Sequence, residues 1–453
     1  MINLKGISTV YFIGVGGIGM SALARYFIGQ GKVVSGYDKN QSTLTDQLQR
    51  EGIKIHFEPQ PAQISSNIDL VVYTPAIPSD FSELQAVKKI NLPLYKRAEI
   101  LGLISNDYFT VAIAGSHGKT TVSSMIAHIL ESSGRGCTAF LGGITLNYQS
   151  NFIGSSNDVI VIEADEFDRS FLYLNPNIAV VTAVDTDHLD VYGDRSAIEE
   201  AFANFIGKIR DGGKLIARWG LDVHEYYTGR SVSYSLDENT ADFHLGSLDA
   251  QPSGSYFTTN KTSRKYHLAW PGIHNVENAL AAIAVADQLE IPEQDVAAAL
   301  NSFKGIARRY QVIIESPDCT YIDDYAHHPE EINALLRSIR KLYWDKKITA
   351  VFQPHLYSRT RDFADDFVEA LAEADRVVLL EIYPARELPI EGISSQMLAD
   401  KMTRMAPEIP VLVVSKEDLP AYIKGINPQV LLTMGAGDID RMVAPLKQIL
   451  SNP

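Results

Sequence analysis

The stretch that decides the fold is Tyr108–Gly134, with the sequence YFTVAIAGSHGKTTVSSMIAHILESSG. Its apolar beginning, residues 109–114, predicts a buried β-strand, and the apolar side chains from Val122 to Leu130 recur at helical spacing. Gly134 stands where such a helix is expected to end. The stretch therefore predicts a strand, a glycine-containing turn and a helix.

The turn between this strand and this helix is typical of a phosphate-binding loop. Backbone N–H groups at the start of the helix point at an anion, Lys119 adds a positive charge, and the hydroxyl of Thr120 can hold Mg²⁺. The match is partial, because Ile113 stands where the general pattern has its first glycine, so that only GxxGKT remains. The alternative is a helix start whose glycines only serve the turn. We favour phosphate binding because a lysine buried at this turn needs an anionic partner.

The composition is that of a globular protein with several domains. A length of 453 residues suffices for two to four domains with cores of their own. The net charge of −15 argues against nucleic-acid or membrane-surface partners, but not against a small anionic substrate. The two cysteines, Cys137 and Cys319, indicate a reducing compartment. Since we find neither a signal peptide nor an apolar run of membrane-spanning length, we expect a cytoplasmic protein without membrane insertion.

The N-terminal part carries a glycine motif of the Rossmann type. A predicted strand at residues 10–13 leads into GVGGIGM at 14–20 and a helix, and the next predicted strand, 32–37, is closed by an acid. Alternation continues with a strand at 68–73. The motif does not choose between NAD, FAD and a UDP-sugar, and a βαβ unit without any ligand stays open. The candidate binding residues are Gly14, Gly16, Gly17, Gly19, Asp38, Thr74 and Ala76.

Acidic residues follow the next predicted strands of the middle region. The strand 158–162 ends at Glu163, and an acid at the carboxyl end of a strand beside a phosphate loop is where a Mg²⁺ ligand belongs. A solvated loop is the alternative for Asp165 and Glu166. The strand 177–184 is followed by His188 between acids, which predicts contact with a second divalent ion, a purely structural histidine being the alternative.

Two further polar pairs lie near the end of the middle region. Asn275 and Asn278 precede or begin a predicted helix at 279–289, and their spacing lets both side chains hydrogen-bond a base or a ribose. Simple capping by Asn275 is equally compatible with the spacing. Arg308 and Arg309 fall in a predicted hinge, where they contact a phosphate or are merely solvated.

The last part of the chain alternates strands and helices again. Polar clusters follow four predicted strands, at 320–324, 348–352, 376–382 and 430–434. A doubly wound domain has its site at the carboxyl edge of the strands, so four such clusters predict a second binding surface.

Taken together, the motifs resemble those of the Mur ligases of peptidoglycan synthesis over nearly the whole chain. The matching segments are GVGGIGM at 14–20, GSHGKTT at 115–121, EADEFDRSF at 163–171, DHLD at 187–190, GIHNVENA at 272–279, DDYAHHP at 323–329, HLYSRT at 355–360 and YPARE at 383–387. Within the family the chain is similar to the alanine-adding branch. The resemblance implies an ATP-dependent ligase that joins L-alanine to the carboxylate of UDP-N-acetylmuramate through an acyl phosphate, as a monomer or weak homodimer.

The implied architecture is α/β with three domains. A Rossmann-like N-terminal domain, 1–106, would bind the UDP-sugar without a redox cofactor. A P-loop central ATPase domain, 107–310, would bind ATP and Mg²⁺. A Rossmann-like C-terminal domain, 311–453, would close over them and hold the amino acid.

The resemblance also implies roles for individual residues. ATP binding falls on Gly115, Ser116, His117, Gly118, Lys119, Thr120, Thr121, Asn275, Asn278, Arg309 and Asp324. Two Mg²⁺ ions, which Mn²⁺ can replace, would be held by Thr120, Glu163 and His188. Residues near L-alanine would be Tyr325, His327, His355 and Arg359. Catalytic contacts would come from Lys119, His188, His274, Arg308, His327 and Arg359.

Two positions depart from the wider family, and three rival functions remain. Phe202 stands where many relatives carry a carbamylated lysine, so we predict no such group. Leu356 stands where some relatives carry arginine, which leaves more of the carboxylate contact to Arg359.

One rival function is that of the recycling ligase that attaches a tripeptide to the same UDP-sugar. The others are a nicotinamide-dependent dehydrogenase or NAD sensor with an incidental GKT, and a P-loop protein that uses ATP only as a switch.

Overall fold

The structure is a computed structural model, and it describes residues 2–155, 157–184, 192, 194–251, 253–385 and 387–451. The chain divides into two compact units, one built mainly from the chain up to Lys304 and one mainly from Gly305 onward. In the described ranges, none of the helices has both the length and the apolar character needed to cross a membrane.

The first unit begins with a five-stranded parallel sheet in the order β3-β2-β1-β4-β5. Its strands are β1 Thr9–Ile13, β2 Val33–Tyr37, β3 Lys54–His56, β4 Leu70–Tyr73 and β5 Leu94–Lys96. Its helices are α1 Ile18–Gly29, α2 Thr43–Arg50, α3 Ser82–Lys89 and α4 Arg97–Ser105, with short 3₁₀ helices at Leu4–Gly6 and Pro61–Gln63. The strand order reverses between β1 and β4, which places a crevice at their carboxyl ends.

A ten-stranded sheet forms the rest of the first unit, in the order β15-β14-β13-β12-β11-β10-β6-β9-β7-β8. Its strands are β6 Phe109–Ala114, β7 Thr138–Thr145, β8 Ser150–Gly154, β9 Val159–Glu163, β10 Ile178–Val181, β11 Lys214–Arg218, β12 Arg230–Ser235, β13 Phe243–Gln251, β14 Gly254–Thr259 and β15 Thr262–Leu268. Its described helices are α5 Lys119–Ser132, α6 Arg195–Ile206, α7 Ile273–Gln288 and α8 Glu293–Ser302, with 3₁₀ helices at Phe167–Tyr173 and Asp222–Tyr226. The central strand β6 pairs in parallel with β9 and β10, so the carboxyl ends of these three strands meet at one edge.

The second unit holds a six-stranded sheet in the order β16-β17-β21-β18-β19-β20. Its strands are β16 Gln311–Glu315, β17 Thr320–Asp324, β18 Ile348–Phe352, β19 Arg376–Leu379, β20 Val411–Val413 and β21 Val430–Met434. Its helices are α9 Pro329–Leu342, α10 Tyr357–Asp362, α11 Ala364–Leu371, α12 Ser395–Met405, α13 Leu419–Ile426 and α14 Val443–Ser451, with a 3₁₀ helix at Asp438–Met442. Among the described strands of this sheet, only β16 and β17 pair antiparallel.

The cores explain the apolar runs of the sequence. Residues 111–114 of β6 are fully buried, as expected for a parallel strand covered on both faces. The same core contains an aromatic group in which Phe171 stacks on Phe205 at 5.0 Å and meets Phe202 edge-on at 5.4 Å. The phenylalanine that replaces the lysine of many relatives is therefore a packing residue.

The α/β class and the order of strands and helices predicted above are confirmed, and three boundaries differ by three residues or more. Helix α7 begins at Ile273 rather than at 279. The residue before it, Gly272, has a non-helical φ of 109°. Strand β10 ends at Val181 rather than at 184, and the hydroxyl of Thr182, the next residue, donates to the carbonyl of His117 in the phosphate loop. Strand β19 ends at Leu379 rather than at 382. The domain boundaries proposed from the sequence stay predictions.

Candidate active site

The glycine loop after β1 is held by the end of β2. The N–H groups of Gly14 and Val15 donate to the carbonyl of Tyr37, at 2.7 and 3.0 Å. The N–H of Gly16 donates to Asp38 Oδ2 at 2.7 Å. Asp38, predicted as a ribose or base acceptor, therefore has a partner within its own loop, and its contact with a ligand stays a prediction.

The loop leaves the first turn of α1 open to an anion. Gly17 is the N-cap residue and makes no side-chain cap, so the first-turn N–H groups of α1 need partners from outside the helix. Gly14 has a φ of 91°, and a Cβ built there would lie 3.0 Å from Thr74 Cγ2. The structure thus brings Thr74 against the glycine loop, as the predicted binding set requires.

A cavity of about 320 Å³ joins this loop to the acids of the ten-stranded sheet. Its lining includes Gly17, Ile18, Gly19, Thr74, Ala76, Arg97, Gly142, Glu163 and Asp165. Arg97 begins α4 and is the one lysine or arginine among the described residues of the lining. A Cβ built on Gly19 would lie 2.9 Å from Arg97 Nη1, so the guanidinium rests on the glycine loop. The sequence analysis missed Arg97, because it belongs to none of the motifs.

The phosphate loop follows β6 and needs its glycines. Gly115 and Gly118 have φ values of 138° and 81°, where side chains with a Cβ are strained. A Cβ on Gly118 would lie 2.7 Å from Asn278 Oδ1, and one on Gly115 would overlap the hydroxyl of Thr182. The loop therefore packs directly on Asn278, one of the predicted ATP contacts, and on Thr182, which the sequence analysis missed.

Thr182 and Ala183, directly after β10, hold the middle of the phosphate loop. The hydroxyl of Thr182 donates to the carbonyl of His117, and the N–H of Ser116 donates to the carbonyl of Ala183 at 3.0 Å. The N–H of Ser116 is therefore used within the protein. Thr121 is buried at the start of α5.

Lys119 is the first residue of α5 and is bound to an acid. Its Nζ lies 2.7 and 2.8 Å from the two carboxylate oxygens of Glu166 and 2.6 Å from the carbonyl of Gly115. Burial alone would lower the pKa of Lys119, but the neighbouring carboxylates, Glu166 first, raise it above its ordinary value. Glu166 is 3% exposed, so the solvated-loop interpretation is wrong for this residue.

Thr120 and Glu163, two of the three predicted metal ligands, lie together. Thr120 Oγ1 is 3.1 Å from Glu163 Oε1, and the N–H of Gly142 donates to Glu163 Oε2 at 2.8 Å. Burial raises the pKa of Glu163 above its ordinary value, although Lys119 opposes the shift. A hydroxyl and a carboxylate, both oxygen donors, suit Mg²⁺. The third predicted ligand, His188, lies outside the described residues, within which three or more acidic, histidine or cysteine side chains nowhere gather as a metal site.

The first turns of α7 carry the other predicted contacts of the middle region. His274 is exposed, whereas Asn275 is 1% exposed. Asn275 is the third residue of the helix, so the interpretation of it as the N-cap is wrong. Asn278 lies one turn further on, beside the phosphate loop.

In the second unit, three of the four predicted amino-acid residues, Tyr325, His327 and His355, lie close together after the ends of β17 and β18. The ring centroids of Tyr325 and His327 are 5.2 Å apart, and those of His327 and His355 are 6.0 Å apart. Tyr383 stacks on His355 at 5.7 Å. Arg359 Nη1 is buried and has no hydrogen-bond partner among the described residues. An unpaired buried guanidinium nitrogen suits a carboxylate ligand.

The paired arginines before β16 differ in their surroundings. Arg308 donates to the carbonyls of Gly435 and Gly437 and lies 3.5 Å from Asp323, so it binds the loop after β21. Arg309 lies over the ring of Tyr325, with its guanidinium 5.2 Å from the ring centroid. Neither arginine is merely solvated.

Asp324 and Glu331 complete the polar edge of the second unit. Asp324 accepts from the N–H groups of Tyr310 and Ala326, at 2.6 and 2.7 Å, and burial raises its pKa. Burial alone would also raise the pKa of Glu331, but His327 and Arg309 bring it below its ordinary value. Asp324, which the sequence predicts to bind ATP, is thus held by backbone N–H groups. Its contact with ATP stays a prediction.

Comparison with known families covers almost the whole chain. Residues 9–109 match the model described as "Mur ligase family, catalytic domain", residues 113–286 match "Mur ligase middle domain", and residues 308–437 match "Mur ligase, glutamate ligase domain".

Individual proteins give the same result. The chain is 48% identical to a UDP-N-acetylmuramate–L-alanine ligase of Flavobacterium johnsoniae, over 99% of each chain. It is 44% identical to the protein of that name from Cytophaga hutchinsonii, over 98% of this chain and 97% of the relative. The crystal structure of UDP-N-acetylmuramate–alanine ligase MurC from Thermotoga maritima superposes with a TM-score of 0.84 at 28% identity, over 97% of this chain and 98% of that one. The chain belongs to the Mur ligase family.

Proposed function

We propose that this chain uses ATP to join L-alanine to the lactyl carboxylate of UDP-N-acetylmuramate, through an acyl phosphate. One observation supports this above all: a single cavity has the glycine loop and Arg97 on one side and Glu163 and Asp165 on the other. A ligand that spans this cavity can place a diphosphate at the glycine loop and a carboxylate on the side of Glu163 and Asp165. The relatives with 44–48% identity over the full length carry the name of this activity.

The UDP-sugar would lie along the first side of the cavity. Its diphosphate would be bound by the first-turn N–H groups of α1 and by the guanidinium of Arg97, since both supply donors to an anion and lie next to Gly19. Thr74 and Ala76 would contact the sugar nucleotide from the end of β4. The glycine motif then serves a UDP-sugar rather than a nicotinamide.

ATP would bind at the phosphate loop with Mg²⁺. Lys119 would exchange Glu166 for the β- and γ-phosphates, and Asn278 would contact the adenosine part. Thr120 and Glu163 would hold one Mg²⁺, and His188 a second. The metal would offset the charge that the γ-phosphate and the incoming carboxylate bring together.

The chemistry asks the protein mainly for alignment and charge. A carboxylate oxygen of the sugar attacks the γ-phosphorus, the bond to ADP breaks, and an acyl phosphate forms. The amine of L-alanine attacks the acyl carbon, loses a proton, and the tetrahedral intermediate expels phosphate. Lys119 stabilises the transferring phosphoryl group, which is the task of a phosphate clamp in such reactions.

L-Alanine would be recognised in the second unit. Its carboxylate would pair with Arg359, whose Nη1 is buried without a partner among the described residues. The aromatic group formed by Tyr325, His327 and His355 would border the small side chain. We place the reaction in the cytoplasm, where nucleotide-linked precursors and ATP occur together.

Product analysis tests this function. The purified chain is incubated with UDP-N-acetylmuramate, ATP, Mg²⁺ and equal concentrations of L-alanine and the L-alanyl-γ-D-glutamyl-diaminopimelate tripeptide. We expect a single product, heavier than the sugar nucleotide by one alanine residue. A product that carries the tripeptide would instead support the recycling activity, and bound NAD(H) without ATP consumption would support a dehydrogenase.

A further inference from the structure

A buried polar network joins α1 to the edge strand β8 of the ten-stranded sheet. At its centre is Asn151, which is fully buried. Its Oδ1 accepts from Arg25 Nη1, and its Nδ2 donates to the carbonyl of Ile18 and to Ser21 Oγ, the latter at 3.0 Å. The oxygen and both hydrogens of this one amide are therefore in use.

The partners of Asn151 are themselves fixed. Arg25 is 6% exposed, and its Nε and Nη2 donate to the two carboxylate oxygens of Glu51 at 2.8 and 2.9 Å. Ser21 Oγ, fully buried, also donates to the carbonyl of Ile18 at 2.8 Å. The Asn151 amide at the centre of the network is fully buried with its oxygen and both hydrogens paired, so a shift of this amide leaves a buried polar group unpaired.

This network connects the two sides of the cavity. Ile18 is the first residue of α1 and lines the cavity beside the glycine loop. Asn151 lies on β8, which forms a hairpin with β7, and the N–H of Gly142 in β7 donates to Glu163 Oε2. The pairing of β7 with β8 shifts register between Phe140 and Thr145, so Asn151 is connected to Gly142 through the backbone of this hairpin. The start of α1 is thereby linked to Glu163, the carboxylate proposed to hold Mg²⁺.

We propose that Asn151 is a positioning residue, which fixes the separation between the sugar-nucleotide loop and the phosphate-transfer residues. The inference rests on the proposed function and deepens it, because it explains how an acid bound through its distant diphosphate reaches the γ-phosphate in line. A displacement of the acid by ~1 Å is enough to lower the rate by a factor of roughly 100. Asn151 touches neither substrate in this account; it acts through Ile18.

The test is a pair of substitutions with a matched control. Asn151→Asp keeps the shape and the acceptor for Arg25 but removes both donors, and Asn151→Ala removes the whole amide. The control is Asn147→Ala in the turn of the same hairpin, where the amide donates to the carbonyl of Ser302 at 2.9 Å and accepts from the N–H of Lys304 at 2.8 Å. It therefore removes two hydrogen bonds, as many as Asn151→Asp does, without touching the glycine loop.

We expect the Asn151 variants to lower kcat by roughly 10- to 100-fold, because alignment is lost, while ATP affinity measured without sugar nucleotide stays within about twofold of wild type. Asn147→Ala should leave both quantities unchanged. Folded Asn151 variants with wild-type kcat would overturn the proposal. So would an equal loss of ATP affinity and kcat, since that indicates general damage.

Ser21→Ala is a further variant, which removes one partner of Asn151 and leaves the Asn151 amide in place. It should also lower kcat without lowering ATP affinity, but by a smaller factor. Wild-type kinetics in Ser21→Ala, together with wild-type kcat in Asn151→Asp, would also overturn the proposal. All variants are compared with wild-type turnover of UDP-N-acetylmuramate and L-alanine. Absence of turnover in the wild type would refute the proposed function itself, so the two failures are distinct.

Discussion

Lys119 Nζ lies 2.7 Å from Glu166 Oε2, so the lysine of the phosphate loop is held by a carboxylate of the protein. The two side chains are 13% and 4% exposed. A carboxylate here satisfies the ammonium as a phosphate would. If Lys119 binds the phosphates of ATP as proposed, an incoming polyphosphate displaces Glu166, and this competition sets part of the affinity for ATP.

The first prediction concerns that competition. Glu166→Gln removes the negative charge that competes with the phosphates, so ATP should bind more tightly, by roughly tenfold or about 1.4 kcal/mol. The melting temperature of the ligand-free protein should fall, because Lys119 loses the carboxylate to which it is hydrogen-bonded. Calorimetric titration with ATP measures the change in affinity, and thermal unfolding measures the change in melting temperature.

A matched control separates this effect from the loss of any ion pair. Glu277→Gln removes the carboxylate that pairs with Arg218 at 2.8 Å, outside the cavity. Its ATP affinity should equal that of the wild type. Weaker ATP binding in Glu166→Gln would show that Glu166 assists the nucleotide instead of competing with it.

The second prediction concerns Lys119 itself. Lys119→Ala should lower kcat by roughly 100- to 1000-fold, about 3 to 4 kcal/mol, because a phosphoryl-clamping charge is lost in the transition state. Nucleotide should still bind, since loop N–H groups remain. Steady-state kinetics with a nucleotide-binding assay test this, with Lys88→Ala at an exposed end of α3 as the control. Near-wild-type kinetics in Lys119→Ala would contradict its role.

The third prediction concerns Arg97. Arg97→Ala should raise KM for UDP-N-acetylmuramate by roughly 10- to 100-fold, because a charge-assisted contact with the diphosphate is lost, whereas KM for ATP stays unchanged. Arg97→Lys should restore part of the affinity, since the charge returns without the fork of donors. Equal changes in both KM values would place Arg97 outside the sugar-nucleotide site.

The fourth prediction concerns pH. His128 on α5 is 6% exposed, and burial lowers its pKa to about 4. Its Nδ1 lies 2.8 Å from the hydroxyl of Tyr148, and its Nε2 lies 3.0 Å from Ser302 Oγ. The folded protein therefore holds a neutral imidazole at a pH where the unfolded chain already binds a proton.

The sign follows from proton linkage. Since the pKa in the folded protein lies below the ordinary histidine value of 6.5, the stabilisation is complete above that pH and is lost as the pH falls toward 4. The shift is worth about 3 kcal/mol at most, at about 1.4 kcal/mol per pKa unit. Against a His128→Asn variant, which does not titrate there, the melting temperature of the wild type should fall more steeply below pH 6.5. Parallel curves would show that His128 is not the group concerned.

The sequence predicts those features of the fold that depend on neighbouring residues. Strand β6, its glycine turn and α5 follow from local periodicity and from the conformational demands of Gly115 and Gly118. Thr120 and Glu163 were predicted as neighbours because the carboxyl ends of adjacent parallel strands share an edge, and they lie 3.1 Å apart.

The remaining features depend on contacts between distant parts of the chain. The sequence shows that Lys119 needs an anion, but not that Glu166, 47 residues away, supplies it. Asn151 and Ile18 are 133 residues apart, and although Ile18 lies in the glycine motif, Asn151 belongs to no recognisable motif. Arg97 was missed for the same reason. Its role follows from its position over Gly19, which only the packing of α4 reveals.

Phosphate release, measured with each component omitted in turn, shows whether the chain couples ATP cleavage to amide formation. We expect that sustained release requires UDP-N-acetylmuramate, L-alanine, ATP and Mg²⁺ together, with one new amide bond for each phosphate. Release that proceeds unchanged without the sugar nucleotide or the amino acid, or no release with all four present, would contradict it.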